Sequence, residues 1–151
     1  MRNSSLAGSQ TQNPFRNERA MPDWAQFTRL GGDRVAILFE ELRTRISSIS
    51  GLIEELHYCG PEEGWLPRYR VDGRVLLKVQ IWPGELSATI ELKELTFKKI
   101  LNSPKLAGKV KSWLGTAPIR EGIAFLHMRL SNRSDISSLG SLVVRISREQ
   151  L

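Results

Sequence analysis

A chain of 151 residues with 40% hydrophobic side chains is sized for one domain with its own core. Its single cysteine, Cys59, excludes an internal disulfide framework, and no apolar run approaches the roughly 18 residues that a membrane helix needs. The net charge of +6 is uneven: residues 1–50 carry 7 basic and 5 acidic side chains, residues 51–93 carry 5 and 7, and residues 94–151 carry 10 and 4. A soluble, cytoplasmic protein without membrane contact is the expectation, since the first twenty residues also lack the apolar centre of a secretory signal.

Residues 1–20 are polar and aperiodic and are predicted to be a disordered tail, with Met21 an alternative translation start and residues 21–151 a single α+β domain. Trp24 and Phe27 are expected to anchor a lead-in segment onto the core. From Asp33, a candidate N-cap, to Ser50, the residues Val35, Leu38, Phe39, Leu42, Ile46 and Ile49 recur at spacings of three and four. That spacing lays one apolar stripe along a helix, which Gly51 ends.

Period two then takes over. Leu52 to Tyr58 reads as a strand, and Trp65 to Val71 as a second, with Pro67 placing it near an edge or at a strand start. Asp72-Gly73 suits a two-residue hairpin turn. In the next strand Val75, Leu77, Val79 and Ile81 are predicted on one face, with Leu76, Lys78, Gln80 and Trp82 on the other. Pro83-Gly84 turns into a strand whose Leu86, Ala88, Ile90 and Leu92 point inward.

Glu94 to Asn102 is predicted as a short helix burying Leu95, Ile100 and Leu101. Ser103-Pro104 reads as the N-cap and first position of another helix, running to about Leu114 and burying Leu106, Val110, Trp113 and Leu114. A last strand sets Ala124, Leu126, Met128 and Leu130 on one face, and Ser134 caps a terminal helix presenting Ile136, Leu139, Val143 and Ile146. The order α-β-β-β-β-α-α-β-α predicts a two-layer α+β fold, an antiparallel sheet of about five strands with helices on one face.

The run Gly64 to Leu92, the helical pair after it, the strand opening on Glu121-Gly122 and the short terminal helix resemble the domain of unknown function 3788 family. The resemblance rests on Gly64-Trp65, Tyr69-Arg70, Gly73, the strand ending in Pro83, and Glu121-Gly122, and covers roughly Asp33 to Ser147. The element order is also similar to YjbR-like proteins and to the secretion-chaperone-like α+β class. What this implies is the fold; the family has no established activity, and the DNA-binding label of YjbR-like relatives implies nucleic acid only as an alternative partner.

No catalytic motif is present: there is no G-x-S-x-G elbow, phosphate-binding loop or dinucleotide fingerprint. His57 and His127 lack neighbouring ligands at metal spacing, so neither a metal nor a cofactor is expected. His57 and Cys59 share a strand face, the one arrangement from which an enzyme would be argued if a carboxylate joined them. Glu40-Glu41 and Glu54-Glu55 are adjacent pairs whose members point apart on a helix or strand, and Glu62-Glu63 reads as part of a solvated loop beside Trp65.

The first functional expectation is therefore a binding module that takes a small molecule or a protein segment on its sheet face. Its candidate residues are the aromatics Trp65, Tyr69, Trp82 and Phe125 together with Arg70, Lys78, Glu121 and His127, with Glu121 a candidate ion-pair partner for Arg70. An open antiparallel face also suits a homodimer interface that would hide the same rings. The alternative is nucleic-acid binding through the basic segment holding Lys98, Lys99, Lys105, Lys109 and Lys111.

Overall fold

The computed structural model describes residues 14–149. Five helices and six strands follow one another along it: α1 (Trp24–Arg29), α2 (Asp33–Ile46), β1 (Ile53–Tyr58), β2 (Trp65–Val71), β3 (Arg74–Trp82), β4 (Glu85–Lys93), α3 (Glu94–Leu101), α4 (Gly108–Gly115), β5 (Ile119–Arg120), β6 (Ile123–Arg129) and α5 (Arg133–Arg148). The strands form one antiparallel sheet in the order β1-β2-β3-β4-β6-β5. The fold is α+β as the element order predicts, with six strands where about five were expected.

The sixth strand is the two-residue β5, joined to β6 through Glu121 and Gly122, whose φ values are 53° and 78°. Asp72 and Gly73 (φ 51° and 76°) join β2 to β3 in the same way. Two consecutive positive φ values make a type I′ turn, whose twist matches that of the flanking strands.

The helices cover one face of the sheet. Leu86, Ala88, Ile90 and Leu92 of β4 and Ala124, Leu126 and Met128 of β6 are buried beneath them, as the alternation predicts. Val35, Leu38, Phe39, Leu42 and Ile46 of α2 meet Ile136, Leu139, Val143 and Ile146 of α5 in the same core. Phe27 of α1 is fully buried, and Asp23 caps that helix reciprocally with Gln26.

Several helix ends differ from the sequence reading. Gly32, not Asp33, occupies the N-cap of α2, and Asp33 lies in its first turn. Ser103-Pro104 does not open a helix: α4 starts at Gly108, and the Ser103 hydroxyl instead accepts a 2.6 Å hydrogen bond from Arg145. Asn132, not Ser134, caps α5 by accepting from the Asp135 amide at 2.9 Å. Because α3 leaves β4 directly at Glu94, its phase buries Phe97 and Ile100 and turns Leu95 out, 82% exposed.

β3 holds the correction with the largest consequence. Beyond the Asp72-Gly73 turn, Val71 pairs with Arg74 and Arg70 with Val75, but Tyr69 then pairs with Leu77 and Arg68 with Lys78. Leu76 is an extra residue, a β-bulge. It reverses the predicted parity at the start of the strand: Leu76 is 1% exposed in the core and Val75 is 38% exposed on the opposite face.

Residues 15–17, at the end of the stretch read as a tail, lie against the start of β2. The Trp65 amide donates to the Phe15 carbonyl at 2.8 Å, the Trp65 indole to that of Asn17 at 2.9 Å, and the Tyr58 hydroxyl to that of Arg16 at 3.0 Å. The expectations for residues 1–13 lie outside the described residues.

Candidate functional site

The face without helices carries a row of side chains set by strand register. Paired residues of antiparallel strands share a face, so Glu55, Arg68, Lys78, Thr89 and His127 stand side by side across β1, β2, β3, β4 and β6. The bulge creates this row. Counting back from the Asp72-Gly73 turn without it would set Lys78 opposite Pro67 and Leu77 opposite Arg68; the extra Leu76 brings the ammonium beside the guanidinium.

A concavity of about 470 Å³ opens over this row. Arg68, Lys78 and Thr89 lie in it, His57 of β1 and Cys59 just after that strand flank them, and Val75 and Ile123 give it apolar wall. Glu63, from the loop before β2, and Glu91 and Lys93, from the far end of β4, complete the lining.

Glu55 is held by two arginines. It accepts from Arg68 Nε at 2.7 Å and from Arg70 Nε at 2.8 Å. The Arg70 hydrogen bond, with that of Arg68 acting against burial, holds its carboxyl at about 2 rather than 4.5. The unfolded chain therefore takes up this proton first as pH falls. The stabilisation from Glu55 is complete above about pH 4.5 and is lost between there and about pH 2. Urea midpoints measured across that window should fall more steeply for the wild type than for Glu55→Gln; parallel profiles would contradict the clamp.

Burial, and after it the charge of Arg68, lowers the His57 pKa against the opposing charge of Glu55 and so favours the neutral imidazole. Burial also raises the Cys59 thiol, and its Sγ faces the His57 carbonyl oxygen at 3.6 Å. His57, Cys59 and Glu63 thus share one concavity, but the thiol is held in its protonated, weakly nucleophilic form. Among the described residues no three of His, Cys, Asp and Glu come together as a metal-holding group.

The eight candidate residues divide. Lys78 and His127 stand in the row, and Arg70 neighbours it, bound to Glu55. Trp82 and Phe125 are on the same face but apart: they lie level with Glu85 and Glu91 of β4, a separation of roughly 20 Å at about 3.3 Å per residue. They form no aromatic patch. Trp65 and Tyr69 belong to the helix-covered side. Trp65 packs on Tyr58 with centroids 5.5 Å apart and ring planes tilted by 58°, and Tyr69 is 1% exposed with its hydroxyl donating to Glu54 at 2.9 Å. Burial, reinforced by the Glu54 carboxylate, raises the Tyr69 phenol pKa.

Glu121 sits in the β5–β6 turn, across the sheet from Arg70, whose carboxylate partner is Glu55. Phe125 instead receives the guanidinium of Arg120 over its ring at 5.6 Å. The residues missed by sequence reasoning are Arg68 and Thr89. Their signal is the hairpin pairing, which the unmarked bulge obscures.

In the basic segment, Lys98 pairs with Glu94, Lys99 with Glu149 and Lys109 with the buried Asp135, at 3.2–3.4 Å. Lys105 and Lys111 make no ion pair with a described residue. Among the described residues no helix is long and apolar enough to cross a membrane. No family model matches this chain, and neither a curated protein nor a solved structure matches it.

Proposed function

We infer that the protein is a binding module whose ligand, a small molecule, occupies the concavity on the open sheet face. The observation that carries this reading is a recess of about 470 Å³ across the central strands, combining apolar walls with polar groups at fixed register positions. That volume falls within the range of roughly 300–1,000 Å³ typical of small-molecule sites. A homodimer through this face is less well supported. Its centre is Arg68, Lys78, Thr89 and His127 rather than an apolar patch. The resemblance to the domain of unknown function 3788 family is compatible with the reading and adds no chemistry to it.

The test is a fragment screen read by amide chemical shifts. Binders should perturb residues of β2, β3 and β4 that border the concavity, Arg68, Lys78 and Thr89 among them. A screen whose hits all map to the helical layer would refute the site.

A second reading, nucleic-acid binding, is favoured by a surface that keeps only Lys105 of the lysines first named. Two grooves flank α5, of about 460 and 240 Å³, and no carboxylate lines either. Arg45, Arg145 and Arg148 line the larger, and Lys105 and Arg145 the smaller. Duplex binding here would weaken steeply with salt and would be reduced by Arg45→Gln/Arg148→Gln, whereas Lys98→Gln would leave it unchanged. Absence of duplex binding at 50 mM salt would remove this reading.

A further inference from the structure

We propose that the ligand of the open face is a small monoanionic acid, a carboxylate attached to an apolar body, with Lys78 as its anchor. This rests on the concavity being the binding site and adds the ligand's chemical class and the residue that selects it.

Three independent observations converge. First, Lys78 is central in the row and makes no ion pair with any described residue, whereas Arg68 and Arg70 on the same face are tied to a carboxylate. An ammonium at the centre of a recess that is bonded to none of the carboxylates around it is a site for an external anion. The Thr89 hydroxyl, next to it in register, supplies a further donor.

Second, the lining mixes cations with carboxylates: Arg68, Lys78 and Lys93 stand with Glu63 and Glu91. A polyphosphate or nucleic-acid strand would meet those carboxylates, but one carboxylate at Lys78 would not need to. Third, Val75 and Ile123 make one part of the wall apolar, so the acid carries a hydrocarbon or aromatic body rather than being inorganic.

The bulge is again decisive. With Leu76 as the extra residue, β3 presents Val75 and Lys78 on the open face, three positions apart, pairing an apolar contact with a cation. A regular strand would present residues two or four apart.

The experiment uses the full chain with benzoate, benzamide and inorganic phosphate as probes, followed by amide chemical shifts and titration calorimetry. Benzoate is expected to shift Lys78 and Thr89 and to bind at least about 10-fold more tightly than neutral benzamide. Lys78→Met should weaken benzoate by about 10- to 100-fold, the range of a hydrogen bond to a charged group, and leave benzamide unchanged. Lys78→Arg should restore most of the loss, which separates charge from a folding defect, and phosphate should bind more weakly than benzoate.

Equal binding of benzoate and benzamide at the same residues would overturn the anion assignment while leaving the concavity as the site. Benzoate binding indifferent to Lys78→Met would overturn the anchor. Tighter binding of phosphate than benzoate would overturn the monoacid class. If no probe shifts any residue of the open face, the site and the ligand class fall together.

Discussion

Leu76→Ala should cost about 2–5 kcal/mol of unfolding free energy, while Val75→Ala one residue earlier should cost less than about 1 kcal/mol. Leu76 is 1% exposed and would leave a cavity in the core, whereas Val75 is 38% exposed at the rim of the open recess. Unbroken alternation predicts the reverse, because it puts Val75 on the same face as Val79 and Ile81. Denaturant midpoints of the two variants therefore test the bulge directly. A loss for Val75→Ala as large as that for Leu76→Ala would restore the regular strand and remove the register that sets Lys78 beside Arg68.

Arg43→Met should be nearly as damaging, at about 2–3 kcal/mol. Arg43 of α2 binds Glu54 of β1 through Nε and Nη2, both at 2.8 Å, and Glu40 through Nη1 at 2.7 Å. Its guanidinium also lies over Trp24 at 4.9 Å and Phe39 at 5.5 Å, joining α1, α2 and the edge strand through one side chain. Burial works to raise the Glu54 pKa, but hydrogen bonds from Arg43 and Tyr69 bring it below the ordinary value, so the carboxylate stays charged. Removing the cation alone leaves that half-buried charge without its guanidinium partner, stabilised only in part by the Tyr69 hydroxyl that donates to it. Arg43→Met/Glu54→Gln should therefore be less destabilised than the sum of its single variants, and thermal melts of the four proteins measure the difference. Strict additivity would mean that the pair is only a surface contact, worth well under 1 kcal/mol.

Period and punctuation explain what was legible in the sequence. The alternation Leu86, Ala88, Ile90, Leu92 follows two turn dipeptides, so the hairpins and the antiparallel sheet could be read directly. The bulge could not, because Val75, Leu76 and Leu77 are all apolar and no glycine marks the extra residue. β5 was hidden for a simpler reason: two residues have no period. Ser103-Pro104 carried the local signature of a helix start, but the Ser103 hydroxyl is bound by Arg145 from 42 residues away.

The same physics divides the candidate site. Lys78, Arg70 and His127 were placed on the open face by residue type and period. Trp65 and Tyr69 were expected there too but lie on the helix-covered side, since an aromatic ring with a polar tip suits either side of a sheet. What decides Tyr69 is Glu54, on the neighbouring strand. Among the described residues, the aromatics mainly build structure, and the recess is made by the polar groups between them.

The layout of the strands carries a consequence for how the chain assembles. β1 to β4 close through nearest-neighbour turns, so most of the sheet is within reach once the first 93 residues exist. α2 has a longer wait: Arg34 reaches Ser131 and Glu41 reaches Arg133 across 97 and 92 residues. During synthesis its greasy stripe rests on an unfinished platform until the very last helix docks, and in that interval the nascent polypeptide is most in need of a chaperone.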